Sequence, residues 1–383
     1  MTTPLALPPL SLYIHIPWCI RKCPYCDFNS HAAGAALPED EYVEALLADL
    51  THEVEHAQGR RLHSIFFGGG TPSLFSARAI ARILDGAEQA LGFADDIEIT
   101  LEANPGTFEQ DKFRGFRTAG VNRLSIGVQS FQTAQLKALG RIHDGDDARR
   151  AIDRSRAAGF ERFNLDLMHG LPGQDLAGAL ADLDQALAFE PPHLSWYQLT
   201  IEPNTAFHSN PPVLPHDDIL GDIQDAGGER LARAGLTRYE VSAFAQQGEE
   251  SRHNRNYWQF GDYLGIGAGA HGKITVPERD AIVRRSKTRL PRDYLARSDD
   301  RCASEHEVTS KERTLEFLMN ALRLIDGVPK AMFAERTGLD FAAVAPWWQT
   351  QVTRGLLAPP DRRLAATALG IRFLDTVLSE WLQ

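Results

Sequence analysis

The sequence predicts an α/β protein: an incomplete parallel (β/α)6 barrel with a small accessory sheet and a C-terminal, mainly helical, winged-helix-like domain. Three observations carry that prediction. From residue 11 to about 200, short apolar runs alternate with longer amphipathic ones, and such strand–helix repeats imply a parallel sheet with right-handed crossovers. The six repeats carry no dinucleotide fingerprint, which suits a partial barrel better than a doubly wound sheet. After Leu236 the alternation stops, so the barrel is expected to end there.

The strand-like runs are Ser11–Pro17, Leu62–Phe67, Ile97–Leu101, Arg123–Val128, Phe163–Met168 and Leu194–Ile201. Helical periodicity falls between them, at Glu41–Glu55, Ala77–Ala90, Ala148–Ala158 and Leu176–Phe189, and a helix near Leu220–Ala234 closes the last repeat. Arg238–Ala245 reads as a further strand. The glycine run from Tyr263 to Gly272 has neither the spacing nor the context of a phosphate loop, so close backbone packing against the sheet is expected of it. Residues 279–300 are basic and irregular and read as a linker. Four helical segments follow, Glu307–Leu324, Pro329–Thr337, Phe341–Arg354 and Ile371–Leu382, with a wing at Gly355–Ala365. The expected domains are therefore 1–236 (barrel), 237–300 (accessory strands and linker) and 301–383 (helical domain).

Bulk composition excludes several classes. A net charge of −11 argues against a nucleic-acid partner, and the balanced charge of the C-terminal module lacks a DNA-binding footprint. No apolar run approaches a membrane span, and Met1 to Pro9 lacks the basic start of a signal peptide. A cytoplasmic protein with reduced thiols is expected.

Three of the four cysteines, Cys19, Cys23 and Cys26, fall in one loop directly after the first strand, at C-x3-C-x2-C spacing. Soft thiolates select an iron–sulfur cluster or zinc. Three of them can hold three irons of a four-iron cluster and leave the fourth open to an exogenous ligand. Zinc stays open on spacing alone, with His15 or His31 as a fourth ligand, although no second ligand pair is visible. A disulfide framework does not fit an odd trio with one distant thiol, Cys302.

Barrels of this kind place functional groups at the C-terminal ends of their strands. The cysteine loop follows strand one and Gly68-Gly69-Gly70-Thr71-Pro72 follows strand two. Glu102 and Asn104 end strand three, and Gln129 and Ser130 end strand four. Asp166 and His169 lie at strand five, and Thr200 and Glu202 at strand six. Loop-proximal residues are commonly polar, but all six mouths are polar here while the strand bodies are apolar.

The cysteine spacing with Tyr25, and the Gly68–Pro72 segment, resemble the radical S-adenosylmethionine superfamily. Over most of its length the chain is similar to the oxygen-independent coproporphyrinogen III oxidase-like proteins, through Tyr13–Cys19, Leu101–Pro105, Leu124–Phe131, Gly140–His143 and Asp166–Gln174. The resemblance implies a [4Fe-4S] cluster on Cys19, Cys23 and Cys26, with S-adenosylmethionine on the open iron. It implies that Tyr13, Tyr25, Gly69, Gly70, Thr71, Glu102, Gln129, Arg141, Asp166 and Thr200 surround that ligand. An electron from the cluster would then cleave the sulfonium C–S bond, the barrel's part being to exclude water.

Within that group two departures from the decarboxylating oxidase appear. Phe28 stands where the oxidase has a fourth cysteine, and 18 residues precede Cys19 where the oxidase has a longer segment. Both match the branch described as haem chaperones, as does His253-Asn254-Arg255-Asn256-Tyr257-Trp258. His253 offers an axial nitrogen, Tyr257 and Trp258 offer flat faces, and Arg252 or Arg255 could pair with propionates. A lone histidine between aromatics also fits plain packing, and Cys302 is a second soft ligand candidate. The implied function is a haem carrier with a reductant and an unidentified acceptor protein as partners. The alternative is coproporphyrinogen III decarboxylation, and no catalytic residue is assigned.

Overall fold

The computed structural model describes residues 4–34, 36–106 and 112–382. Six strands run parallel in chain order: β1 (Leu10–Ile16), β2 (Leu62–Gly69), β3 (Phe93–Ala103), β4 (Arg123–Gln129), β5 (Arg162–His169) and β6 (His193–Gln198). Helices α1 (Glu39–Glu53), α2 (Ala77–Leu91), α3 (Gly145–Ala157), α4 (Leu176–Leu187) and α5 (Asp217–Arg233) lie in the crossovers and after β6, as the alternation requires. β1 is buried along nearly its whole length, with Leu12, Ile14 and Ile16 fully enclosed, because parallel strands are covered on both faces.

The accessory strands do not stand apart. They extend the barrel sheet at both edges into one 12-stranded sheet. β7 (Thr237–Glu240) and β8 (Ala243–Ala245) add antiparallel beyond β6. At the other edge β9 (Asp262–Ile266) pairs parallel with β1, and β10 (His271–Val276), β11 (Ala281–Lys287) and β12 (Cys302–Glu307) follow antiparallel.

The basic stretch read as linker is therefore mostly structured, with β11 and a helix at Pro291–Ala296. Its cations serve a core. Lys287 Nζ lies 2.6 Å from Asp49 Oδ1 and 2.5 Å from Glu53 Oε1, all three side chains being about 1% exposed or less. Arg285 reaches the same Glu53 at 3.3 Å. Composition cannot tell a solvated lysine from one whose partners arrive from a distant helix.

The glycine run packs as expected. Gly267 sits at φ +102°, and a Cβ there would stand 2.3 Å from the His15 carbonyl oxygen. Asp49 Oδ2 and the Tyr294 hydroxyl both accept from the Gly267 N–H, at 3.2 Å each, which ties the turn to α1.

The C-terminal module has its own core around Phe317, Phe333 and Trp348. Its helices Ser310–Ala321, Ala331–Thr337 and Ala345–Thr353 are joined by a wing in which Val328–Pro329 pairs with Arg363–Leu364. Among the described residues no helix is long and apolar enough to cross a membrane.

Lys287→Met would strand two buried carboxylates, and such a break costs about 3–5 kcal/mol. The expected result is a urea midpoint well below wild type; an unchanged midpoint would mean that the cluster does not hold β11 in place.

Candidate functional site

β1 delivers the cysteine loop to the mouth of the barrel, and backbone pairing fixes it there. Trp18–Cys19 pairs with His31–Ala32, Ala33 N–H donates to the Cys19 carbonyl at 2.7 Å, and Cys26 N–H donates to the Cys23 carbonyl at 3.2 Å. The three cysteines line one cavity of about 300 Å3 together with Tyr25, Gly69, Gly70, Thr71, Glu102, Gln129, Arg141 and Asp166. Burial pushes the Cys19 and Cys26 thiols up in pKa, opposed by hydroxyl partners that include Ser30.

The cavity wall is shaped to admit backbone contact. Gly69 has φ +116°, and a Cβ there would meet the His15 ring at 2.6 Å. Gln129 is a non-glycine residue at φ 64°, and its Oε1 is buried without a partner. Strain of that kind persists where the surrounding structure enforces it, often at ligand sites. Arg141 crosses the floor, donating to Asn104 Oδ1 at 2.6 Å and the Gly127 carbonyl at 2.9 Å, and lies 3.6 Å from Cys23 Sγ.

Two carboxyls share the wall. Asp166 accepts from Ser125 Oγ and Asn164 Nδ2, both at 2.8 Å, and burial raises its pKa. Glu102 is pushed up to about 8 by burial first and the nearby Asp166 second. A cationic ligand in the cavity would reverse both shifts.

Thr200 is not part of this arrangement. β6 ends at Gln198, short of the predicted Ile201, so Thr200 is exposed and donates to Glu202 at 2.7 Å. Tyr197 lines the cavity from that strand instead, and Asn104, just past β3, and Gly127 of β4 line it as well. Inward alternation along β6 was the signal that could have found Tyr197.

Tyr13 faces a second, larger cavity of about 800 Å3. Its hydroxyl is 3.0 Å from His15 Nδ1, and both side chains line that space, as period-two alternation on β1 requires. Gly69, Glu102 and Phe28 border both cavities, and Phe28 is 63% exposed.

His253 and Tyr257 line the larger cavity from α6 (Arg252–Trp258), where they sit one turn apart on one face. His253 stacks on Phe66 at 4.3 Å and meets Tyr257 edge-on at 4.5 Å, and its Nδ1 is buried without a partner. Burial, with Arg123 nearby, lowers its pKa to about 3, so the ring is neutral at pH 7. Trp258 does not reach this cavity. One residue past Tyr257 it turns into the C-terminal core, where the Arg323 guanidinium lies 4.3 Å above its ring. Arg252 and Arg255 are also engaged elsewhere, with Asp96 at 2.7 Å and with Glu250. Cys302 lines neither cavity; its thiol donates to the Ser304 carbonyl at 3.2 Å.

The Glu102 shift has a signed consequence. Its folded pKa of about 8 exceeds the usual ~4.3, so folded protein binds the proton more tightly than unfolded protein does. Its contribution is present below pH ~4.3 and is lost as pH rises to about 8. Thermal melting of the ligand-free protein against Glu102→Gln is expected to show the variant gaining on wild type between those limits. Parallel curves would mean that Glu102 is already ionised in the folded protein.

Comparison with known proteins identifies the family. The Radical SAM superfamily model matches residues 13–186, and the HemN C-terminal domain model matches residues 308–373. The heme chaperone HemW of Escherichia coli (strain K12) is 51% identical over 98% of this chain and 99% of that protein. The heme chaperone HemW of Bacillus subtilis (strain 168) is 36% identical over 88% of this chain and 89% of that one. Coproporphyrinogen III oxidase (HemN) from Escherichia coli superposes with a TM-score of 0.82 over 98% of this chain and 90% of its own, at 22% identity, which supports the fold. The chain belongs to the radical SAM superfamily and, within it, to the HemW family.

Proposed function

We propose that this protein is a haem chaperone that holds a [4Fe-4S] cluster, S-adenosylmethionine and haem, and passes haem to an acceptor protein. The observation that carries this reading is the larger cavity beside the cysteine cavity, lined by His253 with its neutral, unpartnered Nδ1. The relatives named heme chaperone HemW cover nearly the whole chain, which supports the same reading.

In this reading Cys19, Cys23 and Cys26 hold three irons, and the donor set suits a cluster. Gly69 and Gly70 offer backbone to the methionyl amine, and Arg141 neutralises its carboxylate. Glu102 and Asp166 accept from ribose hydroxyls, while Tyr25, Thr71 and Gln129 complete the wall. The bound cluster supplies an electron for reductive cleavage of the sulfonium. The chain's part is to exclude water and to fix the ligand by its backbone. Tyr13 and Tyr257 would wall the haem, and the neutral His253 would offer its iron a nitrogen ligand.

The domains proposed are the barrel to residue 236, the strands and α6 to 300, and the winged-helix-like module beyond. A reductant and an acceptor protein complete the partners, in the cytoplasm where thiols stay reduced. Decarboxylation of coproporphyrinogen III is disfavoured by Phe28, an exposed hydrophobe between the two cavities at the position of the oxidase's fourth cysteine.

Anaerobic haem titration of the cluster-reconstituted protein, followed at the Soret band, tests this reading. Saturation near one haem per chain is expected, with affinity falling at least about tenfold and the band shifting in His253→Ala. Saturation unchanged in the variant would move the ligand away from His253, and no saturable binding would overturn the carrier reading. Cys23→Ser is expected to lose cluster reconstitution while keeping the wild-type circular dichroism spectrum.

A further inference from the structure

The larger cavity is polarised along the sheet. Its inner end, over β1 and β2, is aromatic, with Tyr13 and Phe66 beneath His253. Its outer end, past β10 and β11, carries His271, Lys287 and Arg289. These three groups differ in what they have left to offer a ligand. Lys287 is already held by Asp49 and Glu53. Burial and the nearby Arg284 and Arg289 lower the pKa of His271, so it is a neutral donor at pH 7. Arg289 is exposed and, among the described residues, has no carboxylate partner.

Arg289 is nonetheless placed. Asn29 Nδ2 donates to its carbonyl at 2.9 Å and to the Ala268 carbonyl at 2.9 Å, and Asn29 Oδ1 accepts from its Nε at 3.4 Å. One asparagine thus pins the residue to the glycine turn. The carboxyls on this cavity are Asp27, which is exposed, and Glu102, which lies at the border with the cysteine cavity.

We propose that Arg289 is the carboxylate anchor of this cavity: it pairs with a haem propionate and so orients the ring with its acidic edge outward and its iron toward His253. The assignment rests on the haem reading above and adds an orientation to it. It also replaces Arg252 and Arg255, whose guanidinium groups are committed to Asp96 and Glu250. His271 contributes a neutral hydrogen bond on the same edge. A guanidinium without a carboxylate partner at the rim of a cavity whose inner end is aromatic suits a flat ligand with an anionic edge.

The test compares haem with its dimethyl ester, which keeps the ring and iron and lacks the propionate charges. Both probes are titrated into cluster-reconstituted wild type, Arg289→Gln and Arg289→Lys. Wild type is expected to prefer haem over the ester by about 5-fold, the yield of a largely exposed ion pair. Arg289→Gln is expected to abolish that preference by weakening haem alone, and Arg289→Lys to restore most of it. Equal preference in wild type and Arg289→Gln, with binding still dependent on His253, would overturn the anchor and leave the carrier intact. Failure of both probes to saturate any form would instead overturn the haem reading, and the anchor with it.

Discussion

A buried ion cluster makes the second half of this molecule possible. Asp49 and Glu53 leave α1 pointing into the protein, and Lys287 and Arg285 meet them from a strand more than 230 residues later (|i−j| = 238 and 234 for the lysine). Removing these charges from water is expensive, so the arrangement persists only because the partners are close and further bonded. Asp49 also takes the Tyr294 hydroxyl at 2.8 Å and the Gly267 N–H at 3.2 Å. One carboxylate therefore fixes α1, β11, the glycine turn and the helix at Pro291–Ala296 relative to each other. Lys287 of this contact also lines the larger cavity.

The two cavities are built from one strand. β1 sends its C-terminal loop over the barrel mouth, bearing the cysteines, while Tyr13 and His15 on its side face the other space. Gly69 ends β2 and borders both cavities, and Glu102 lies where they meet. A ligand in one cavity therefore changes the charge and solvation seen from the other. Glu102, whose proton burial and Asp166 hold on up to about pH 8, borders both cavities and is the group most sensitive to that change.

A buried polar chain supports α6 from beneath. Asp166 accepts from Asn164, Asn164 Oδ1 lies 2.7 Å from His193 Nδ1, and His193 Nε2 lies 3.0 Å from the Tyr239 hydroxyl. Asn254 donates to that hydroxyl at 3.2 Å, and Glu98 accepts from the Arg252 N–H at 3.0 Å. These contacts, together with the Ser251 cap, set the rotation of a seven-residue helix that could not hold itself. They turn His253 toward the cavity and Trp258 away from it.

The sequence by itself determined the order of the parallel strands and the cysteine loop at the first strand end. Each of these follows from local periodicity and chain order, which a parallel barrel converts directly into position. It singled out His253 and Tyr257, but the helix that puts them on one face appears only in the structure. Tertiary structure alone decided the rest. Thr200 fell outside because a strand end is set by pairing with its neighbours rather than by apolar content. The basic stretch became a strand because its charges found carboxylates on a helix far away in sequence. Arg255 was claimed by Glu250 five residues away and Arg252 by Asp96 from a distant strand, while Arg289, hidden in an apparent linker, has among the described residues no carboxylate partner at the cavity rim. Long-range charge pairing has no period to read, so only the folded chain can assign it.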